Sequence, residues 1–107
     1  MKRVRIRPRA DRDVDSAIER LLDENPPAAA QFLRELEAAV SRIAERPAIG
    51  SPRYAHLLRR LRTWRLRRFP YLVFYLQHPS YIDVVRVLHE ARDIPEILQT
   101  KRGAKKR

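Results

Sequence analysis

Residues 71–77, Tyr-Leu-Val-Phe-Tyr-Leu-Gln, set six apolar or aromatic side chains in a row. A strand turns successive side chains to opposite faces, so Tyr71, Val73 and Tyr75 share one side and Leu72, Phe74 and Leu76 the other. A strand apolar on both sides belongs in the middle of a sheet. No apolar run in the chain approaches the ~20 residues of a membrane span. The other elements must therefore supply neighbours and cover for this one strand.

Two neighbours are legible beside it. Residues 81–88 form a second apolar run, and the link through His78, Pro79 and Ser80 is so short that the pair must be an antiparallel hairpin. Residues 60–67 alternate, with Trp64 and Leu66 on one face and Thr63, Arg65 and Arg67 on the other. A further short strand is expected at residues 3–7, where arginine alternates with Val4 and Ile6.

Cover comes from two helices. Pro8 suits a first helical turn, Asp11, Asp13 and Asp15 complement the helix dipole, and Val14, Ile18, Leu21 and Leu22 recur at helical spacing over about residues 9–24. Asn25 is a capping residue and Pro26 opens a second helix. Its stripe is Phe32, Leu33, Leu36, Val40 and Ile43, and Pro47 ends it. So short a connection predicts an antiparallel helix hairpin. Residues 46–56 read as a loop, 93–98 as one more helical turn or two, and 101–107 as a disordered basic tail.

The order is β-α-α-β-β-β with a short C-terminal helix, an α+β fold. A two-helix hairpin packs on one face of a small, mainly antiparallel twisted sheet. Two helices cover only one face, so the other is expected to be partly open and to serve as a partner site.

Charge narrows the partners. The 107 residues carry a formal charge of +11, which favours nucleic acid, anionic membrane or an acidic protein. Between Lys2 and Lys101 every Lys/Arg position is arginine, which fits either bidentate recognition of carboxylate and phosphate or the codon bias of a GC-rich genome. The absence of cysteine excludes disulfides and thiolate metal sites, and His56, His78 and His89 are too scattered for a metal cluster. The helical stripes contain no cofactor motif, so neither metal nor cofactor is expected. The N-terminus lacks the apolar core of a signal peptide, which makes a cytoplasmic protein the expectation.

The chain resembles the RelE/ParE toxins of type II toxin–antitoxin modules. Residues 9–21 look like that family's first helix, and residues 25–53 like its second helix with a proline- and glycine-containing exit. The most specific stretch is Phe69-Pro70-Tyr71, the strand that follows, then Val87-Leu88-His89 and Arg92-Asp93, which is similar to the ParE-type branch. The resemblance implies a single toxin domain over residues 1–100. It also implies a cognate antitoxin whose extended or helical part wraps the toxin in a hetero-oligomer, and a link to plasmid stabilisation. For the ParE-like branch it implies inhibition of DNA gyrase and growth arrest without enzymatic activity. For the RelE-like branch it implies cleavage of messenger RNA in the ribosome.

Cleavage of RNA needs a base, an acid and cations for the developing phosphorane charge. The candidates are Arg65, Arg67, Arg86, His89 and Arg92. Each has a structural alternative. Arg65 and Arg67 suit a solvated edge or antitoxin contacts, Arg86 an ion pair with Asp83, Glu90 or Asp93, His89 a hydrogen-bonded structural role, and Arg92 with Asp93 a helix cap. RelE-like nucleases usually carry arginine where Tyr71 stands, and no tyrosine follows His89. The ParE-like reading is therefore favoured. Its target-binding candidates are His89, Arg92, Ile94, Ile97 and Leu98, and its antitoxin-binding candidates are Arg65, Arg67, Tyr71, Val73 and Tyr75. A plain nucleic-acid-binding module is a third reading, but the sequence has no recognisable reading element for it.

Overall fold

The computed structural model describes residues 1–99. The expected tail, residues 101–107, lies outside the described residues. The elements are β1 (Arg3–Ile6), α1 (Pro8–Glu24), α2 (Pro26–Glu45), a 3-10 turn (Pro47–Ile49), β2 (Arg62–Arg65), β3 (Tyr71–Gln77) and β4 (Tyr81–His89). A short helix, α3, follows at residues 94–99. The four strands form one sheet in the order β1-β4-β3-β2. The β2–β3 and β3–β4 pairs are antiparallel, and β1 lies parallel to β4. The central apolar strand is thus interior to the sheet, and β1 and β2 form its two edges.

Both helices open with proline in the first turn, where a missing N–H costs nothing. Asn25 alone joins them, and it acts through its backbone. Its N–H donates to the Leu21 carbonyl (2.7 Å) and its own carbonyl accepts from Ala28 N–H (2.9 Å). Its side chain makes no capping bond, contrary to the sequence expectation. The stripes bury Ala10 and Ala17 from α1, and Phe32, Leu36, Ala39 and Ile43 from α2, against Tyr71, Val73 and Tyr75. Leu22 and Leu33, expected in those stripes, lie on the outer side instead. Phe32 meets Phe69 and Tyr71 edge-on, with ring centroids 5.5 and 5.1 Å apart.

Strand β4 contains a bulge. Phe74 pairs with Arg86 and Tyr75 with Val84, leaving Val85 as the extra residue. Its alternation therefore changes phase. Ile82, Val84 and Val87 face the helices, whereas Val85 and Leu88 face the opposite side.

That opposite side is not open. Leu57 and Leu61 from the loop before β2, and Ile94 and Leu98 from α3, close over Leu72, Phe74, Val85 and Leu88 as a second core. The expectation of an uncovered sheet face is corrected here. The covering loop has no helical or strand period, so pattern reading does not reveal it as a lid. The first strand also ends earlier than expected. Ile6 is exposed, and Arg7 turns inward to grip Asp83.

Candidate functional site

Strand β2 has a free outer edge, and the site is built around it. Thr63 exchanges both of its backbone hydrogen bonds with Ser51, at 2.8 and 2.9 Å. Leu66 N–H points the other way, to the Tyr71 carbonyl (2.9 Å). By the alternation of an antiparallel ladder, the N–H and C=O of Arg65 between them face outward. Among the described residues no further strand pairs with that stretch of edge.

A groove lies on each side of this edge. Towards the helices, a groove of about 580 Å³ runs between β2 and α2, with Trp64, Leu66 and Ala39 in its wall and Arg34, Arg42, Arg65 and Arg67 around it. Towards the loop, a groove of about 540 Å³ is lined by Tyr54, Trp64, Leu72, Arg53 and Thr63. Thr63 Oγ1 is buried there without a hydrogen-bond partner. The arginines on α2 fall at residues 34 and 42 with Ala38 between them, a four-residue step that places all three on one helical face. That spacing is a sequence signal which sequence reasoning missed.

The expected site residues are distributed unevenly. Arg65 and Arg67 lie on the grooved edge, as anticipated for a solvated edge. Arg65 Nε also donates to Glu90 Oε1 (3.0 Å), and this bond holds the Glu90 carboxyl below the usual carboxylate range. Tyr71, Val73 and Tyr75 are placed differently. They are buried beneath the helix hairpin, at 5%, 0% and 0% exposure, so they are core residues and present no surface to an antitoxin. The physical reason is that Phe32 and the α2 stripe occupy that side of β3.

The nuclease candidates are mostly engaged. Arg86 does not pair with Asp83, Glu90 or Asp93. Its Nε and Nη2 donate to Asp13 at 2.8 and 2.9 Å, and the same carboxylate accepts Val87 N–H at 3.0 Å. Arg86 Nη1 is buried with no partner. Asp13 lies on the buried face of α1 between Ala10 and Ala17, beyond the first turn, where Asp11 is the acidic residue, so its role is to satisfy this cation and not to complement the dipole as expected. An acid within an apolar helical stripe was the available clue. Asp83 is instead held by Arg7, whose Nη2 lies 2.8 Å from Oδ2. Burial is the largest single influence and works to raise the Asp83 pKa, but the bonds and charge of Arg7, together with His78, hold the carboxyl below its ordinary value.

His89 Nδ1 accepts Ala91 N–H (3.0 Å), the structural role considered for it. Its ring also meets Tyr71 edge-on at 5.0 Å, and Arg20 Nη2 donates to the Tyr71 hydroxyl (2.7 Å). A tyrosine from the adjacent strand thus stands beside His89, although none follows it in the sequence. Arg92 is exposed, with its backbone N–H on the His89 carbonyl (3.0 Å). Ile94 and Leu98 point into the second core, and Ile97 packs at its margin. These three hold α3 on the sheet and do not form a projecting grip. Among the described residues there is no group of three or more His, Cys, Asp or Glu side chains that could hold a metal ion. No described helix is long and apolar enough to cross a membrane.

A family model described as the ParE toxin of the type II toxin–antitoxin system parDE matches residues 4–94. Comparison with curated proteins gives no match. Among solved structures, one described as the chromosomal ParDE TA system from P. aeruginosa aligns with a TM-score of 0.71 at 18% identity, covering 83% of this chain and 96% of that one. At that identity the likeness speaks for the fold, which agrees with the strand order above. The family match spans α1, α2, strands β2 to β4 and all of β1 but its first residue, and on that ground the chain belongs to the ParE toxin family of type II toxin–antitoxin systems.

Proposed function

We propose that this toxin arrests growth by inhibiting DNA gyrase, and that an acidic, extended segment of its antitoxin neutralises it by adding to the free edge of β2. The observation that carries the antitoxin placement is the pair of grooves flanking that edge. A strand added there would send alternate side chains into the two grooves while its backbone pairs with Arg65. Carboxylates in the segment would meet Arg34, Arg42 and Arg67, and an apolar residue would rest on Trp64. The pair would act in the cytoplasm as a toxin–antitoxin hetero-oligomer.

Support for inhibition over RNA cleavage comes from the engaged candidates. The Arg86 guanidinium is buried on Asp13, and Tyr71 is 5% exposed with its hydroxyl on Arg20. Neither is presented to a substrate phosphate. The ribosome-dependent nuclease remains as a second reading because of the Tyr71–His89 pair with Arg20 behind it.

Two assays test the proposal. Purified toxin should block gyrase supercoiling and leave ribosome-bound messenger RNA intact. Cuts in that RNA, lost on His89→Ala, with gyrase unaffected would reverse the assignment. Charge reversal at Arg65 and Arg67 should weaken antitoxin binding by about a hundredfold or more, and unchanged affinity would move the antitoxin elsewhere.

A further inference from the structure

A third cleft lies away from the grooved edge, where β3 ends and β2 begins. It holds about 440 Å³ and is lined by Lys2, Arg60, Arg62, Gln77 and His78 on a floor that includes Leu61. No aspartate or glutamate lines it. We infer that this cleft binds the phosphodiester backbone of nucleic acid, independently of the antitoxin and gyrase readings.

The cations are positioned but not neutralised. Lys2 Nζ donates to the His78 carbonyl (2.7 Å). Arg62 Nη1 donates to the carbonyls of Gly50 (2.6 Å) and Ala48 (3.2 Å). Neutral carbonyls fix the direction of these groups and leave their charge intact. Arg62 Nε and Nη2 remain free as donors, and the Arg60 side chain has no partner among the described residues. The ion pairs of the described residues draw on Arg7, Arg65, Arg68, Arg86 and His78, never on Lys2, Arg60 or Arg62.

Arg60 is also the one described non-glycine residue with a left-handed backbone, at φ 68°. Side-chain-bearing residues seldom adopt that region, and such strain gathers where function dictates chain geometry. Here it places a free guanidinium two residues before Arg62 on the rim of a cation-only cleft.

The lining distinguishes the partner. Protein interfaces are anchored by aromatic side chains in apolar pockets, and the grooves beside β2 provide Trp64 and Tyr54 for that purpose. This cleft has no tyrosine, tryptophan or phenylalanine. It offers donors and charge, which suit phosphate oxygens and carry no base-reading group.

The test is fluorescence anisotropy of the full-length chain with a labelled 20-base-pair DNA duplex, titrated between about 50 and 200 mM salt. Lys2→Gln with Arg60→Asn removes two cleft charges, and asparagine tolerates the left-handed backbone. The slope of log K against log salt should become shallower by about 1.8, or about 0.9 per contact. Affinity should fall at least about tenfold near 0.1 M salt. Arg34→Gln with Arg42→Gln, equal in charge but in the α2 groove, should change the slope by less than half as much. Arg60→Asn alone, with half the expected loss, carries the test if circular dichroism shows the double variant to be misfolded. An unchanged slope in the cleft variants would overturn the inference, as would an equal loss in the α2 pair. Displacement of the duplex by polyglutamate as efficiently as by unlabelled duplex would mark an acidic-protein surface and overturn it too.

Discussion

The two faces of the sheet are closed by different means. On one face, 37 residues of helix in two segments lay regular stripes over Tyr71, Val73 and Tyr75. On the other, a loop without strand or helix period and a short terminal helix close over Leu72, Phe74, Val85 and Leu88. The burial achieved is similar, since Phe74 and Tyr75 are both fully enclosed. The polar fastening is not. The helix-side core is tied by the Asp13–Arg86 pair and by the Tyr75 hydroxyl, which donates to the Pro47 carbonyl (2.6 Å) and accepts Gly50 N–H (2.9 Å). The loop side combines side-chain packing with short-range backbone bonds, such as Leu57 N–H to the Tyr54 carbonyl (3.0 Å) and Leu61 N–H to the Leu58 carbonyl (2.9 Å), and has a left-handed residue at Arg60. Close packing with short-range backbone bonds can shut a face, while buried side-chain ties between distant elements fix which arrangement shuts it.

The largest effect is expected at the strongest tie. Asp13→Ala strands a buried guanidinium and an unpaired Val87 N–H, and should cost about 3–5 kcal/mol by chemical denaturation. Adding Arg86→Met should recover most of that loss, because an apolar replacement of both partners leaves no buried charge. If the double variant is as unstable as the single, the pair is not what fastens α1 to β4.

On the loop side, Leu61→Ala should cost about 2–5 kcal/mol, near the lower end because an irregular segment can settle into the space. Hydrogen exchange should show the amides around residues 54–61 opening before those of α2. Equal protection of both segments would erase the contrast between the faces.

Tyr75→Phe should cost about 1–3 kcal/mol by leaving Gly50 N–H and the Pro47 carbonyl unsatisfied. Burial pushes the Tyr75 hydroxyl above its ordinary value of 10.0. The stability contributed by its neutral form is therefore complete below about pH 10 and is lost as pH rises through the raised value. The phenylalanine variant should lack that alkaline decline, and a pH series of melting temperatures checks it. Space is as tight as the bonding, since a Cβ on Gly50 would lie 2.5 Å from the same hydroxyl. The smallest effect is expected at Arg60→Gly, a gain of up to about 1 kcal/mol from relief of the left-handed backbone.

Much of the fold was legible because it is periodic. Both helices, the β3–β4 hairpin and the central position of β3 follow from the spacing of apolar residues and from proline positions. The second core was hidden because Leu57, Leu61, Ile94 and Leu98 come from segments whose apolar residues answer to no single period. The site was legible only in part. Arg65 and Arg67 announce an edge by alternation, but the α2 arginines reach that edge only through tertiary packing. Tyr71, Val73 and Tyr75 were misplaced for the opposite reason. Alternation says which residues share a face and does not say which face is covered. The Asp13–Arg86 pair joins residues 73 positions apart, a separation that local pattern cannot bridge.

The extra residue in β4 has a consequence for how this chain tolerates change. Up to Val84 the even-numbered positions of the strand serve the helix-side core, and from Val87 the odd-numbered ones do. Substitution tolerance along β4 therefore reverses its rhythm midway. Removing a single residue at Val85 would not merely shorten the strand. It would restore plain alternation, with Val84 and Val87 still on the helix side and Arg86 between them, whereas removing a residue beyond the bulge, such as Val87, would turn Leu88 towards the helices, so the frame of the strand is set at this one position.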